Sequence, residues 1–286
     1  MIHHDHSTPS PAAPGRRSAP RYRENLGYTL DDAARVLGCD RSKISRIETG
    51  QRGVRVKELR ELFAEYGISD DQQAILTAMA DPRGAFGWHR DYADVLPGAW
   101  HDYLILETAA YKIAIYEAQR IPALLQTPAY ARELAEADQG LADSQARDRA
   151  VAAMLARQKA ILSDRQPEIA VIIGEAALRQ EVGGRDILEG QLGLLAGISG
   201  DSGTITVQIL PFSSGAHAAI STGSLAMLQF AEAPGLGLVH EGGATGGVCL
   251  ESPADLAAHA RVFEQLRAYA LSPAQSALHL RGLATG

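Results

Sequence analysis

The chain has 286 residues, of which 46% are hydrophobic and 21% are charged. This length favours two domains with a substantial apolar core, and no apolar run approaches the roughly 18 residues that span a membrane. The beginning of the chain lacks the layout of a signal peptide. The two cysteines, Cys39 and Cys249, lie far apart, so a disulfide framework and a CxxC metal site are excluded and a cytoplasmic location is expected.

The net charge of −7 is unevenly distributed along the chain. Residues 16–60 hold twelve Arg or Lys and six Asp or Glu, whereas residues 61–286 hold fifteen and twenty-seven. A basic segment followed by an acidic body favours contact between the first segment and the phosphate backbone of double-stranded DNA.

Composition and periodicity divide the chain into five parts. Residues 1–15 are rich in Pro, Ser, Ala and His, and we expect a disordered tail. Residues 16–80 predict an all-α domain of five helices, at about 19–26, 30–37, 41–48, 56–66 and 69–79. Residues 81–87 are typical of a linker, residues 88–275 form the second domain, and residues 276–286 are expected to be a tail.

The segment from Leu30 to Ile47 has the spacing of a DNA-binding helix-turn-helix unit. Ala34 is small where the second helix must cross close over the first. Gly38 stands where the first helix must end and reverse, and glycine adopts a positive φ without a steric clash. Thr29, followed three residues later by an aspartate, resembles a capping box that begins the first helix. Leu37, Cys39, Ile44 and Ile47 are expected to form the apolar seam between the helices.

The second helix of this unit is expected to enter the major groove, where its exposed polar residues can contact DNA. Arg41 and Lys43 can donate to guanine edges, and the serines can bond base edges or phosphates. The arginines at 46, 52 and 55 are better placed for phosphates, which set register without reading sequence. The predicted DNA-binding residues are Arg41, Ser42, Lys43, Ser45, Arg46, Arg52 and Arg55.

The pattern changes after the linker to a mixture of helices and strands, which gives the whole chain an α+β fold class. Helices are predicted at about 102–117, 128–136, 144–163, 185–198 and 253–271. Strands with apolar or alternating patterns are predicted at 169–173, 204–210, 225–230, 236–240 and 248–251. This second domain is therefore expected to be a mixed α/β unit with a small sheet.

Eight of the sixteen aromatic residues of the chain fall within residues 86–130. Tyr and Trp enrichment is typical of a small-molecule pocket or a protein interface, and an aromatic helical core is an equally good interpretation. The candidate ligand-binding or partner-binding residues in this region are Trp88, Tyr92, Trp100, Tyr103, Glu107 and Tyr111.

A catalytic interpretation would rest on residues near the predicted strand ends that can bind a metal or move protons: His217, His240, Glu241, Cys249 and Glu251. The sequence has no HExxH, GxSxG, P-loop or CxxC motif, and the glycine-rich stretch 242–247 is typical of a hairpin turn. We therefore expect no catalytic residues, no metal, no cofactor and no enzymatic activity.

Several segments resemble known families. Residues 44–52, Ile-Ser-Arg-Ile-Glu-Thr-Gly-Gln-Arg, resemble the Xre/Cro-type helix-turn-helix of phage repressors. The segments that resemble the C-terminal domain of actinobacterial WhiJ-like regulators are residues 88–97, 107–117, 121–131, 175–179, 207–217 and 271–273. This resemblance implies a regulator of transcription that often works with a small protein encoded nearby, in an antitoxin-like arrangement.

These observations predict a sequence-specific DNA-binding transcriptional regulator. Because such modules usually read two half-sites, a homodimer is expected. The second domain is expected to dimerise and to sense a small-molecule ligand or a small protein partner. The alternative is an antitoxin-like protein that sequesters a small partner and binds DNA for autoregulation.

Overall fold

The computed structural model describes residues 23–24, 27–48, 52, 54–68, 73, 88–96, 100–163, 166–200, 203–221, 223–231, 237–243 and 247–285. Contacts between Cα atoms divide the chain into two units, with the boundary between Gly87 and Trp88. The fold class is α+β, as predicted, with helices in the first unit and a sheet with helices in the second. Within the described ranges, no helix is long and apolar enough to cross a membrane.

The described part of the N-terminal unit contains α1 (Leu30–Val36), α2 (Arg41–Glu48) and α3 (Val56–Glu65). The Thr29 hydroxyl accepts a hydrogen bond from the Asp32 N–H, and the Asp32 carboxylate accepts one from the Thr29 N–H, which confirms the capping box. Gly38 has a φ of +56°, the conformation that the reversal after α1 requires. The predicted helices at 19–26 and 69–79 lie mostly outside the described residues, so the count of five helices stays a prediction.

The core of the N-terminal unit joins all three described helices. Ile44 and Ile47 of α2 are each 1% exposed, and Ala34 of α1 is buried beside them. Leu37 and Cys39, predicted in the same seam, are only partly buried. The inner face of α2 is thus apolar, and its other face is left to polar residues.

Six strands in the described part of the C-terminal unit form one sheet: β1 (Lys112–Glu117), β2 (Glu168–Gly174), β3 (Ile205–Leu210), β4 (Leu225–Gln229), β5 (Gly237–Glu241) and β6 (Val248–Leu250). Their order is β3-β2-β1-β4-β5-β6. β1, β2 and β3 are parallel, whereas β4, β5 and β6 continue the sheet by antiparallel pairing. The strands predicted near residues 169, 204, 225, 236 and 248 are confirmed.

The helices of this unit are α4 (His101–Ala109), α5 (Pro128–Ala137), α6 (Ser144–Gln158), α7 (Glu175–Arg179), α8 (Arg185–Gly200), α9 (Pro253–Tyr269) and α10 (Pro273–Thr285). A short 3-10 helix covers Trp88–Tyr92, and a second one covers Ala123–Leu125. One face of the sheet packs against α9, where Phe263 and Leu266 meet Tyr116, Ile172 and Val239.

The predicted helix at 102–117 is wrong in its second half. Helix α4 ends at Ala109, and Ala110 already has an extended backbone. The next residues form β1, a central strand that pairs with β2 on one side and β4 on the other. Ile113 and Ile115 are β-branched and buried, and pairing at both strand edges outweighs any local tendency to continue the helix.

The structure differs from the predicted tail at 276–286 as far as Thr285, because residues 276–285 belong to α10. Ser272 and Gln275 exchange hydrogen bonds between side chain and backbone in the manner of a capping box. The Ser276 hydroxyl then accepts a hydrogen bond from the Ile209 N–H of β3, and Leu280 is fully buried. The helix thus completes the core beside β3 instead of trailing away from it.

Candidate DNA interface and C-terminal cavity

Helix α2 presents a polar face to solvent. Arg41, Ser42 and Arg46 are exposed, and Ser45 is half-buried. Arg46 Nε donates to the Ser42 carbonyl at 3.0 Å, and Arg41 Nη1 lies 3.6 Å from a carboxylate oxygen of Asp31. Both of these contacts are solvent-exposed and weak, so the two guanidinium groups are available to DNA.

Lys43 has a different environment. Its Nζ lies 2.7 Å from Glu58 Oε1 on α3, and both side chains are 20% exposed. The hydrogen bond from Lys43, with a second from the Arg55 N–H, lowers the pKa of the Glu58 carboxyl. The assignment of Lys43 to a guanine edge is therefore not supported by this geometry, because the ammonium group joins α2 to α3.

The end of α2 is held by Arg23, a residue that the sequence analysis did not single out. Its Nε and Nη2 donate to the two carboxylate oxygens of Glu48 at 2.8 and 3.1 Å, and its Nη1 donates to the Tyr28 carbonyl at 2.8 Å. Arg23 is 8% exposed and Glu48 has an 11% exposed side chain. This fork fixes the orientation of α2 within its own unit.

Two further predicted DNA-binding residues precede α3. Arg55 is exposed directly before that helix begins, and Arg52 is exposed in the connection from α2. The Arg52 N–H donates to the Arg46 carbonyl at 2.9 Å, which keeps this part of the chain close to the end of α2. Basic side chains therefore extend beyond the helix that would enter the groove.

The C-terminal unit contains a buried ion pair between α4 and α6. Arg157 Nε and Nη2 donate to the Glu107 carboxylate at 2.6 and 2.7 Å, and the Tyr103 hydroxyl donates to Glu107 Oε1 at 2.8 Å. The Glu107 side chain is 0% exposed and that of Arg157 is 13% exposed. A buried charge is tolerated when it is paired and hydrogen-bonded in this way.

Aromatic rings surround this pair. The Arg157 guanidinium carbon lies 5.8 Å from the Trp100 ring centroid and 5.7 Å from that of Tyr103. The His240 ring is 4.5 Å from Tyr103 and 5.3 Å from Trp100. Burial, with a smaller effect from the neighbouring Glu107 carboxylate, raises the pKa of the Tyr103 hydroxyl well above its usual value. The phenol is thus held as a hydrogen-bond donor.

Two cavities open beside this cluster. The larger has a volume of about 430 Å³ and is lined mainly by apolar side chains from α4, α5 and α6. The smaller, of about 50 Å³, shares Trp100, Arg120, Ala123 and Arg157 with it. The larger volume falls in the range of pockets that bind small molecules.

Two glutamine side chains from outside the segment 121–127 hold this segment, which forms part of the cavity wall. Gln158 Nε2 donates to the Ala123 and Gln126 carbonyls at 2.8 and 2.9 Å. The amide of Gln191 clamps the same segment, accepting from the Thr127 N–H and donating to the Leu125 carbonyl, each at 2.7 Å. Because these bonds hold irregular backbone in place, the wall is pre-formed.

Comparison with known protein families assigns both units. Residues 20–76 match a helix-turn-helix domain, and residues 100–282, more than half of the chain, match a domain of unknown function (DUF5753). The chain belongs to the DUF5753 family. No curated protein and no solved structure matches the chain. The helix-turn-helix domain makes this DUF5753 protein a DNA-binding regulator of transcription.

The C-terminal unit brings most of the predicted ligand-binding residues together. Trp88 and Trp100 line the larger cavity, and Tyr103 lines the smaller one. Glu107 does not line the larger cavity itself, but it is hydrogen-bonded to Arg157, which does. The other two predicted residues, Tyr92 and Tyr111, line neither cavity.

Tyr92 stands at the edge of the aromatic group. Its ring centroid is 6.4 Å from that of Trp88 and 5.5 Å from the Arg149 guanidinium carbon. Tyr111 lies elsewhere, directly before β1, where it is 46% exposed and its hydroxyl is 3.4 Å from Gln229 Oε1. The geometry therefore places neither residue among those that line the two cavities.

The candidate catalytic residues are distributed over several contacts. His240 lies opposite Cys249 in the pairing of β5 with β6, and Glu241 Oε1 lies 3.0 Å from His259 Nε2 on α9. His217 packs edge-on against Tyr116 at 6.2 Å. Among the residues that the structure describes, no cluster of three His, Cys, Asp or Glu side chains could hold a metal ion.

Sequence reasoning missed Arg157, Gln158 and Gln191, although they build the cavity. Arg157 lies in an otherwise ordinary helix and finds Glu107 fifty residues away along the chain. The two glutamines form hydrogen bonds with backbone groups, and every residue has such groups, so the sequence does not indicate which ones are bonded. The one available signal is the apolar stretch before Arg157 in α6, which indicates that this part of the helix faces the interior.

Proposed function

We propose that this DUF5753 protein is a sequence-specific transcriptional regulator that reads DNA with α2 and senses a small molecule in its C-terminal domain. Arg41, Ser42 and Arg46 would meet base edges and nearby phosphates, because the N-terminal residues of such a helix point into the major groove. Arg52 and Arg55 would contact phosphates. The exposed polar face of α2 supports this reading role.

The observation that carries the sensing role is the cavity of about 430 Å³. It combines an apolar lining with a few polar groups, the usual composition of a ligand pocket. Both tryptophans of the chain line it, and Arg157, whose guanidinium group carries N–H donors, is the polar residue that α6 contributes to its lining. We propose no catalytic step and no metal or cofactor for this site.

A pair of substitutions on one helix tests the sensing role. Ala150 of α6 lines the cavity, whereas Ala152 on the same helix is not among the lining residues. Affinity for a duplex selected by the protein is measured by fluorescence anisotropy, with and without small-molecule extract of the native host. An extract fraction should change the affinity of the wild type and of Ala152→Phe, but not that of Ala150→Phe. Equal responses from all three proteins would contradict a sensor in this cavity.

We also propose that the protein is a homodimer and belongs to the actinobacterial WhiJ-like, Xre-type regulators, as the sequence resemblance implies. Sedimentation velocity of the full chain, alone and with a duplex carrying two half-sites, tests the dimer. A single protomer on such a duplex would contradict it.

The antitoxin-like alternative is favoured by exposed apolar side chains at one end of the C-terminal domain. Phe212 is 62% exposed, Tyr269 is 55% exposed, and the Ser214 hydroxyl donates to the Tyr269 carbonyl at 3.2 Å. Such side chains can serve a protein partner. Purification from the native host, with a Phe212→Ser variant as control, would support this alternative if a stoichiometric small protein accompanies only the wild type.

A further inference from the structure

The side chain of Arg157, which lines the larger cavity, carries hydrogen-bond donors, and its positive charge is paired with the Glu107 carboxylate. The fork with Glu107 engages two of the five N–H donors of Arg157, and the guanidinium group also interacts with the Tyr103 hydroxyl, which leaves further N–H donors outside these contacts. The guanidinium group is planar and rigid, so its other N–H groups keep fixed directions. Since Arg157 lines both cavities, these N–H groups can meet an acceptor atom of a ligand.

The charges around the cavity leave no positive excess. Arg157 is neutralised by Glu107, and Arg120 Nε lies 3.1 Å from Glu117 Oε1. Asp138, the acidic residue at the cavity wall, accepts a hydrogen bond from the Gly140 N–H at 2.8 Å. The summed charge of these side chains is slightly negative, because only the Asp138 carboxylate has no cationic partner among them. An anionic ligand would therefore be repelled slightly, although N–H donors are available to it.

A cationic ligand would be disfavoured for a different reason. Its charge would approach the Arg157 guanidinium, whose remaining donors cannot accept a hydrogen bond. The cavity is otherwise lined by apolar side chains such as Leu104, Leu134 and Met154, which cannot solvate an ammonium group. Desolvation of either kind of ion would thus go largely uncompensated.

We propose that the cavity binds a neutral, mainly apolar molecule that carries a carbonyl oxygen and presents it to N–H groups of Arg157 that lie outside the Glu107 fork. Ketones, esters, lactones and amides share this chemistry. The apolar body would lie against Trp88, Trp100 and the side chains of α5 and α6. This inference rests on the proposed sensing function and specifies the chemical class that the same cavity accepts.

Four naphthalene probes of nearly equal size test the class. They are 2-acetylnaphthalene, a neutral ketone; 2-naphthoate, an anion; 2-naphthylmethylammonium, a cation; and 2-ethylnaphthalene, which has no polar group. Each is titrated into the full chain by isothermal calorimetry at pH 7.5. The ketone should bind at least tenfold more tightly than each of the other three probes.

The Ala150→Phe and Ala152→Phe variants locate the binding. Ketone binding should be lost in Ala150→Phe and kept in Ala152→Phe, with thermal melting showing that both variants are folded. Tighter binding of 2-naphthoate, or equal binding of 2-ethylnaphthalene, would overturn the carbonyl proposal while leaving the cavity as a ligand site if Ala150→Phe abolishes it. Binding of no probe, or binding that Ala150→Phe leaves unchanged, would overturn both the carbonyl proposal and the proposed sensing site.

Discussion

Arg157 and Glu107 form a two-pronged ion pair, with Nε 2.6 Å from Oε2 and Nη2 2.7 Å from Oε1. The carboxylate has no exposed surface, and a third hydrogen bond from the Tyr103 hydroxyl satisfies it further. The pair joins α6 to α4 and fixes a guanidinium group at the cavity wall. The stability of the C-terminal domain and the proposed ligand recognition would therefore depend on the same contact.

Removal of one partner should be costly. Glu107→Ala leaves the Arg157 charge buried without a counter-charge, and the free energy of unfolding should fall by about 3–5 kcal/mol. The matched control is Glu136→Ala, whose pair with Arg147 is exposed and should contribute at most about 1 kcal/mol. Urea unfolding followed by tryptophan fluorescence measures this, because both tryptophans lie in the C-terminal unit. Equal losses in the two variants would contradict a buried, essential pair.

Lys43→Ala should act on stability more than on sequence reading. The variant removes the ion pair with Glu58 between α2 and α3, so the helix-turn-helix domain should melt at a lower temperature. Arg41→Ala keeps that contact and should weaken binding to a selected duplex by about 1–3 kcal/mol if the side chain reads a base. Melting by circular dichroism and gel-shift titration separate the two effects. A larger loss of specific binding in Lys43→Ala, with unchanged melting, would restore the base contact expected from sequence.

Arg52 and Arg55 should act as phosphate contacts. Alanine at either position should weaken binding to selected and scrambled duplexes equally, because phosphates carry no sequence information. Each variant should also reduce the slope of log affinity against log salt concentration by about one. Anisotropy titrations from 50 to 250 mM salt give this slope. A loss confined to the selected duplex would instead assign a base contact.

His259 should make the stability of the C-terminal domain depend on pH. Burial alone would lower the pKa of this imidazole, but hydrogen bonds to Glu241 and to the Asp255 carbonyl outweigh burial and raise it above 6.5. A raised folded-state pKa means that the stabilisation is fully present below pH 6.5 and is lost as pH rises through the folded value.

Glu241→Gln should therefore destabilise the domain by up to about 1 kcal/mol at pH 5.5 and by much less at pH 8.5. Urea midpoints at the two pH values, compared with those of the wild type, provide the measurement. If Glu241→Gln lowered the urea midpoint by the same amount at both pH values, protonated His259 would not stabilise the domain through its pair with Glu241.

Local signals predicted much of this molecule. The capping box at Thr29, the reversal at Gly38 and the buried pair Ile44 and Ile47 all depend on neighbours within one or two helical turns. The strands after residue 168 were also predictable, because each carries its own apolar or alternating pattern. In contrast, β1 was predicted as helix because its pattern follows that of α4, and only pairing with β2 and β4 makes it a strand.

The candidate site was predictable only in part. The aromatic group drew attention to Trp88, Trp100 and Tyr103, but nothing local distinguishes them from Tyr111, which faces solvent. The Arg157 contact depends on a fold that brings together residues fifty positions apart. The Ser-x-x-Gln pattern at 272–275 is compatible with the start of α10, but what holds this helix is its packing beside β3, which the local sequence does not reveal.

Selection of bound duplexes from a random pool by the full-length protein tests most directly whether α2 reads sequence. At 150 mM salt, the wild type should enrich one motif, and Arg41→Ala should relax it at one base pair while keeping the flanking positions. Enrichment of no motif by the wild type, or of an identical motif by a folded protein carrying alanine at Arg41, Ser42 and Arg46, would contradict sequence reading by this helix.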